Sequence, residues 1–404
     1  MVPSRSRPVA VPEGRGDQIN REVCHTMRTI MHVEPLHRLH LLLPFALPSA
    51  ADASTALAHL AHPALDQLVA RATLVERVIG EDFQRTLPHE RWVARRFGAV
   101  PAGAAAADEA PLAPYMLRAD GGKPGDATWA CVEPVHVRIA HDHLVLVDPA
   151  ALELTDEEAV VLHDLARPLI EELGVRMEAP TPRRWYLSSD AFGTLAGASP
   201  LRASGRNIEI WLPHEAHTGE RSRLWMKLQN EIQMAWFEHP VNEAREARGL
   251  PAVNSIWFHG QGAAQPVTSP FARVYSDAVA TRGLALAAQT PHDTPPATFA
   301  AFAAFAAFAA LREAQPRPDD GATLVELDPF SVPFVEQDWA RWNAAFAALE
   351  RDWFAPALAA LQKGELRALD LTLCGDTGSV TLAVTRGDLR KFWRQRIFAS
   401  LFIE

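Results

Sequence analysis

The residues best suited to chemistry gather in the stretch PAVNSIWFHGQG, Pro251 to Gly262, where an apolar run carries Asn254 and His259 into a turn bracketed by Gly260 and Gly262. A histidine at the end of a strand stands where α/β proteins bind ligands. Paired glycines allow unusual dihedrals or a close approach of backbone to ligand. Just upstream, HPVNEAREARG offers Asn242 and Arg245, an amide and a planar guanidinium suited to bidentate contact with a carboxylate or phosphate. Each has a structural counterpart. His259 can be a core histidine satisfied by its neighbours, Asn242 a helix cap, Arg245 a surface arginine, and Asn254 a bridge to backbone across the turn. Taken together, Asn242, Arg245, Asn254, His259, Gly260 and Gly262 are the candidate ligand-binding set; no catalytic residue is assigned.

Other constellations are weaker. In CVEPVHVRIAHDH, Glu133 and His136 sit near His141, Asp142 and His143 around a predicted hairpin. A metal needs about three ligands of fixed geometry, and spacing alone does not show convergence. Cys374 beside Asp376 suggests a thiol nucleophile, yet no histidine lies close in sequence, so a buried cysteine at a strand end is the better expectation. TLPHERWVARRFG holds Thr86 without a nucleophile's context, and the tryptophans of DWARWNAAFAALERDWF are spaced as helix core.

The elements that would position these residues follow from size and pattern. The chain has 404 residues, a formal net charge of −10 and three cysteines, Cys24, Cys131 and Cys374, with no C-x-x-C pair. That length supports one large or two ordinary domains with a full core. The charge argues against nucleic acid as a partner, and the cysteines signal neither a disulfide framework nor a thiolate zinc site. No apolar run is long enough to span a bilayer, so neither membrane nor secretion is indicated and a cytoplasmic protein is expected. Residues 1–35, polar and proline-bearing, are expected to be a disordered leader, with Met27 or Met31 as alternative starts.

Leu39 to Leu43 reads as a buried strand stopped by Pro44, and Pro63 opens a helix that runs on through ATLVERV. Residues 98–114 are loop or linker. LTDEEAVVLHDLARPLIEELG is a helix with a Thr155–Glu158 capping box and Gly174 as its stop. RRWYL and NIEIWLP are expected strands. ERSRLWMKLQNEIQMAWFEHP is a helix with Leu224, Leu228, Ile232 and Ala235 on one face, followed by a short helix capped by Asn242 and closed by Gly249. PFARVYSDAVATRGLALAAQ reads as helix. In TFAAFAAFAAFAALREA, Phe299, Phe302, Phe305 and Phe308 sweep roughly half a helix circumference, which implies burial on more than one side or a contact surface. Then come TLVELDP (strand), EQDWARWNAAFAALERDWFAPALAALQKG (helix), ALDLTLCGD and SVTLAVT (strands) and LRKFWRQRIFASLF (helix). Strands alternating with helices give the α/β class, a sheet flanked by helices. The expected organisation is an N-terminal core part at 36–125, an inserted α+β portion at 126–215 and the rest of the core at 216–404.

EHPVNEAREARGLPAVNSIWFHGQG, Glu238 to Gly262, resembles the DHPVNxxRxxxGxxPAN-x-I-W-x-W-G-Q-G signature of the archaeal-type cofactor-independent phosphoglycerate mutases. HPALDQLVARA, the Thr155 helix with RRWYL, and TLVELDP to LCGD resemble further segments of that family. From Trp129 to Gly262 and at FWRQR, the similarity is closer to the bacterial RpfE-type regulatory proteins. The resemblance implies an alkaline-phosphatase-like sheet. In active members, two divalent cations such as Mn or Mg, held by Asp and His, align a phosphoryl group passed to a Ser or Thr, because paired cations neutralise the charge of a phosphoryl group in flight. Here the strand that should end in an aspartate ends LLLPFALP, the family's terminal SDH becomes LCGD with Asp376 alone retained, and VELDPFSVPFVEQDW has no histidine. The implied function is therefore a non-catalytic pseudoenzyme without cofactor, with a regulatory role through a phosphorylated or carboxylated metabolite or a protein partner. The alternative is an active mutase or phosphatase with a metal site rebuilt from Glu326, Asp328, Glu336, Asp338 and Asp376, with Asp328 and Asp376 as leading ligands.

Overall fold

The computed structural model describes residues 36–49, 52, 56, 61–81, 83–100, 109–188, 195–215, 219–312 and 321–402. The expected leader, most of the helix before Pro63 and the middle of the 98–114 linker lie outside them. In chain order the elements are β1 (Leu36–Leu43), α1 (Pro63–Arg71), β2 (Thr73–Ile79), α2 (Pro88–Phe97), α3 (Ala113–Ala119), β3 (Thr128–Val135), β4 (Val137–Ala140), β5 (His143–Leu146), α4 (Asp156–Glu172), β6 (Arg176–Thr181), β7 (Arg184–Ser188), α5 (Glu220–Trp236), α6 (Pro240–Ala247) and β8 (Ser255–Ala263). They continue with β9 (Phe271–Tyr275), α7 (Val279–Ala287), β10 (His292–Asp293), α8 (Phe299–Arg312), β11 (Ala322–Glu326), α9 (Trp339–Leu349), α10 (Ala355–Lys363), β12 (Leu366–Cys374) and β13 (Gly378–Thr385).

Two sheets organise the chain. The larger has seven strands in the order β10-β9-β11-β1-β12-β13-β2. Its strands from β10 to β12 are parallel; β13 runs antiparallel to β12, and β2, antiparallel to β13, resumes the direction of the others. The central strand β1 is buried on both faces from Leu39 to Leu43, which is why it reads as an apolar run interrupted by the buried His40 alone. The smaller sheet has four strands in the order β6-β7-β3-β8, and β4 and β5 form a separate hairpin that turns at His141-Asp142. The architecture is thus the expected α/β class, with a second α+β layer. Because β8 pairs with β3, that layer extends beyond the boundary expected at residue 215.

Alternation along β3 and β8 separates two interiors. Ala130, Val132, Ile256 and Phe258 pack with Trp225, Leu228, Ile232 and Trp236 of α5 and with Leu162 and Ala166 of α4. Trp129 and Cys131 face the opposite way, into a cluster with Leu112, Met116, Leu284 and Leu324 that joins the two sheets. Helices α3 and α7 cross so closely here that a Cβ on Gly283 would lie 1.9 Å from the Tyr115 carbonyl oxygen. Gly283→Ala therefore forces the helices apart and should cost about 1–3 kcal/mol in chemical denaturation.

Several local expectations are corrected. ATLVERV is not helix: Ala72 is extended at the end of α1, and the following residues form the edge strand β2 along β13. FARVY is a strand between β10 and β11, since a short apolar run carries no period that separates it from buried helix. NIEIWLP is a turn rather than a strand: the Asn207 side chain accepts from the Glu209 N–H, and the amides of Trp211 and Leu212 bond back to the Ile208 carbonyl. LRKFWRQRIFASLF forms only 3₁₀ turns at Asp388–Arg390 and Phe398–Leu401, because the Arg71 guanidinium captures the carbonyls of Lys391, Phe392 and Arg394 that a helix would need. The cap of α6 is His239, not Asn242. The helix around Trp353 is continuous but passes from α9 to α10 through one π turn, Glu350–Phe354. In α8, Phe299 and Phe302 pack on Trp353 while Phe305 is exposed; the Phe308 side chain lies outside those described.

Candidate functional site

A cavity of about 940 Å³ lies between the two sheets, beyond the carboxyl ends of the parallel strands β9 and β11. The large sheet contributes Asp277, Glu326 and Asp328, the smaller layer Glu133, Asp148, Ser199 and His259, and α2 contributes His89 and Glu90. This is where open parallel sheets hold ligands. The apolar part of the wall includes Val93, Met116, Leu284 and Trp353.

The electrostatics are those of crowded acids. Burial pushes the Glu326 carboxyl up to about 7 against the bonds it receives from Ser276 and Thr281, with the Asp328 and Glu90 charges adding to the rise. Glu326 Oε2 accepts from Ser276 Oγ at 2.6 Å. Burial likewise raises Glu90, which accepts from Ser199 Oγ at 2.6 Å and from the Leu87 N–H at 2.8 Å. Asp328, held by Ser331 Oγ at 2.6 Å, is raised by burial and then by Asp148. Asp148 is raised by burial and, beyond the bond that it accepts from Ala150, by Glu133. His89 is held neutral, its pKa lowered to about 3 by burial and by Arg202, and its Nδ1 has no hydrogen-bond partner among the described residues. Shifts of this size around one cavity mark a functional site more often than an ordinary surface cleft.

Of the residues singled out in the sequence, His259 reaches this cavity. Asn242 instead clasps two backbone segments: its Nδ2 donates to the Trp236 and Val253 carbonyls at 3.0 and 2.9 Å, and its Oδ1 accepts from the Val253 N–H at 2.8 Å. Arg245 is fully buried and donates to the Pro251 and Leu152 carbonyls and to Glu158. Asn254 receives the Val137 N–H and donates to the Val137 carbonyl, both at 2.8 Å, as a neighbouring strand would. Gly260 and Gly262 have φ of +66° and +150°, and a Cβ on Gly262 would come within 2.4 Å of Pro111, so this pair lets β8 run tight against the segment before α3. The structure does not bring these residues together around one centre.

The acidic set behaves similarly. Glu326 and Asp328 line the cavity, but Asp376 is held between Arg202 Nη1 and Arg206 Nη1, each at 2.9 Å. Glu336 pairs with Arg341, and Asp338 caps α9 by accepting from the Arg341 N–H. Thr86 is buried, and its hydroxyl donates to Glu109. His136 donates through Nδ1 to the Ala252 carbonyl at 2.6 Å, and His143 bonds Asp142 on the hairpin turn, so the weakly signalled metal grouping of that stretch does not assemble. Among the described residues one other group of metal-ligating side chains converges: Cys131, Glu133 and His259, with ligand atoms all within 4.8 Å of one another. Sequence reasoning missed Cys131, His89, Glu90 and Asp148. The only local signal was the i, i+2 spacing of Cys131 and Glu133 on one face of a strand.

No family model and no curated protein matches the chain. Among solved structures, it is similar to the PH0037 protein from Pyrococcus horikoshii, with TM-score 0.47 and 12% identity over 87% of this chain and 88% of that one. It is also similar to the cofactor-independent phosphoglycerate mutase from Thermoplasma acidophilum DSM 1728, with TM-score 0.42 and 14% identity over 91% and 94%. No helix among the described residues is long and apolar enough to cross a membrane.

Proposed function

We propose that this chain is a phosphoglycerate-mutase-like protein that binds a small ligand in the cavity between its sheets and does not itself transfer phosphate. One observation carries the reading. Asp376, the residue retained from the family's terminal metal-binding motif, is neutralised by the guanidinium groups of Arg202 and Arg206. Two fixed cations occupy the electrostatic role that a divalent ion would need, so the residues present do not fit the paired metals of in-line phosphoryl transfer. Thr86, the hydroxyl in the relevant segment, is committed to Glu109, and β1 ends in Leu43 and Pro44 rather than in a carboxylate.

Charge constrains the ligand. Glu90, Glu133, Asp148, Asp277, Glu326 and Asp328 face the cavity, against Arg183 and Arg184 as its basic side chains. A phosphorylated or carboxylated metabolite is accommodated only if it enters with cations. A ligand that presents ammonium or hydroxyl donors meets acceptors directly. The regulatory role rests on the RpfE-like stretch Trp129 to Gly262, and the two buried free thiols, Cys131 and Cys374, accord with a reducing compartment such as the cytoplasm.

The test is an assay for interconversion of 3- and 2-phosphoglycerate in added Mn²⁺, run beside a thermal-shift panel of amines, polyols and phosphoglycerates. The expected result is no turnover above background, with stabilisation by donor-bearing ligands. Turnover that disappears in Asp376→Ala would establish the enzyme reading instead.

A further inference from the structure

The face of β3 that looks into the molecule carries Cys131 and, two residues on, Glu133. The antiparallel partner β8 places His259 directly opposite Cys131. Three side chains of different chemistry, a thiol, a carboxylate and an imidazole, therefore share one face of the sheet, with Glu133 and His259 lining the cavity and Cys131 buried beside them. Glu133 Oε1 lies 3.9 Å from Cys131 Sγ and 3.3 Å from His259 Nε2. For bonds of about 2.3 Å to sulfur and about 2.0–2.2 Å to nitrogen and oxygen, the edges of a tetrahedron around a zinc ion measure roughly 3.4–3.7 Å. The two measured separations bracket that range, and all three ligand atoms lie within 4.8 Å of one another.

Charge balance points the same way. Cys131 is fully buried, His259 is 4% exposed, and among the described residues no lysine or arginine pairs with Glu133. A carboxylate whose partners are a thiol and an imidazole lacks the cation that a partly buried acid ordinarily has. The cavity beside Glu133 and His259 leaves one side of the group open.

We propose that Cys131, Glu133 and His259 form a binding site for a single borderline transition-metal ion of the zinc class, with its fourth position open to the cavity. Three protein ligands and one free position are the arrangement of zinc sites that bind an exchangeable molecule, and thiolate with imidazole selects zinc or cobalt over magnesium and calcium. On binding, the Cys131 thiol proton leaves to solvent and the sulfur–metal bond takes its place. The proposal deepens the ligand-binding reading, since the open position would face that ligand. It depends on that reading only for the cavity. The site is separate from Asp328 and Asp376 and implies no phosphoryl transfer.

Chelator-treated full-length protein titrated with Co²⁺ should take up one ion per chain, showing a sulfur-to-cobalt charge-transfer band and the intense visible absorption of tetrahedral cobalt, both bleached by Zn²⁺. Cys131→Ser should lose the charge-transfer band, and His259→Ala the tetrahedral absorption. Absence of the band in the unaltered protein, or its persistence in Cys131→Ser, would overturn the proposal, the latter by assigning the thiolate to Cys24 or Cys374. Should the serine variant not fold, Glu133→Gln decides: weakened Co²⁺ binding supports the site, and unchanged binding refutes it. None of these readouts involves phosphoglycerate turnover. A protein that binds cobalt here yet interconverts phosphoglycerates in Mn²⁺ would sink the function proposed above and leave this site standing.

Discussion

Arg245→Met lowers the stability of the protein by about 3 kcal/mol and leaves ligand binding in the surviving folded fraction unchanged. Arg245 has no exposed surface, and its three nitrogens are all used: Nε on the Pro251 carbonyl at 2.9 Å, Nη1 on Glu158 at 2.5 Å and Nη2 on the Leu152 carbonyl. Through that fork α6 is tied both to the start of α4 and to the loop leading into β8. Breaking a buried pair by removing one partner costs about 3–5 kcal/mol, mostly through the group left behind. The lower end applies here because Glu158 keeps Arg248 and the Thr155 N–H as partners. The cost then comes from two orphaned carbonyls, partly offset by the methionine's apolar bulk. Arg248→Ala is the control: its side chain is half exposed, and its loss should cost less than about 1 kcal/mol. Urea denaturation of the two variants separates the outcomes. A stable Arg245 variant with weakened ligand binding would return Arg245 to the binding site where the sequence had placed it.

That contrast explains much of what could be read in advance. Local rules with a single physical cause held: the Thr155–Glu158 capping box, Pro63 opening α1, and the glycine stops at Gly174 and Gly249 all stand as expected. Errors arose where a distant partner decides. Phe271 to Tyr275 is a strand because β11 lies alongside it, and the C-terminal segment fails to coil because Arg71, over three hundred positions earlier, takes its carbonyls. The site follows the same division. Asn242, Arg245 and Asn254 have residue types suited to ligands, but polar groups on a short stretch between packed helices are equally suited to satisfying buried backbone, and the fold uses them so. His259 was legible because it ends an apolar run. The carboxylate that meets it, Glu133, comes from β3, and the others that share its cavity come from α2, the loop after β5 and β11, and no spacing in one dimension announces such a meeting.

The second large effect is on pH dependence, where three buried groups act with opposite signs. His40 and His89 are each lowered to about 3, chiefly by burial and then by arginines: Arg96 and Arg38 for His40, Arg202 for His89. Both stay neutral in the fold. His40 accepts or donates a 2.8 Å bond with Thr372, and its neighbour Asp370, 3.7 Å away, is already neutralised by Arg38. The unfolded chain protonates these histidines below pH 6.5, so the stability they confer is complete above that value and is lost as pH falls towards 3. Glu326, raised to about 7, works in reverse. Its contribution is complete below pH 4.5 and is lost as pH rises through 7. At about 1.4 kcal/mol per pH unit, each of the three contributes about 3 kcal/mol of change between pH 4.5 and 6.5, the histidines upward and Glu326 downward. Glu90, Asp148 and Asp328, also raised by burial, pull in the direction of Glu326. Differences between variants are therefore sharper than the profile of the unaltered protein. Over this window Glu326→Gln should steepen the rise of stability with pH by about 3 kcal/mol, and His89→Gln should flatten it by a similar amount. Denaturation midpoints measured across the window decide the matter. A His89→Gln profile parallel to that of the unaltered protein would mean that the imidazole is protonated in the folded cavity, and would make it a proton donor to whatever binds there.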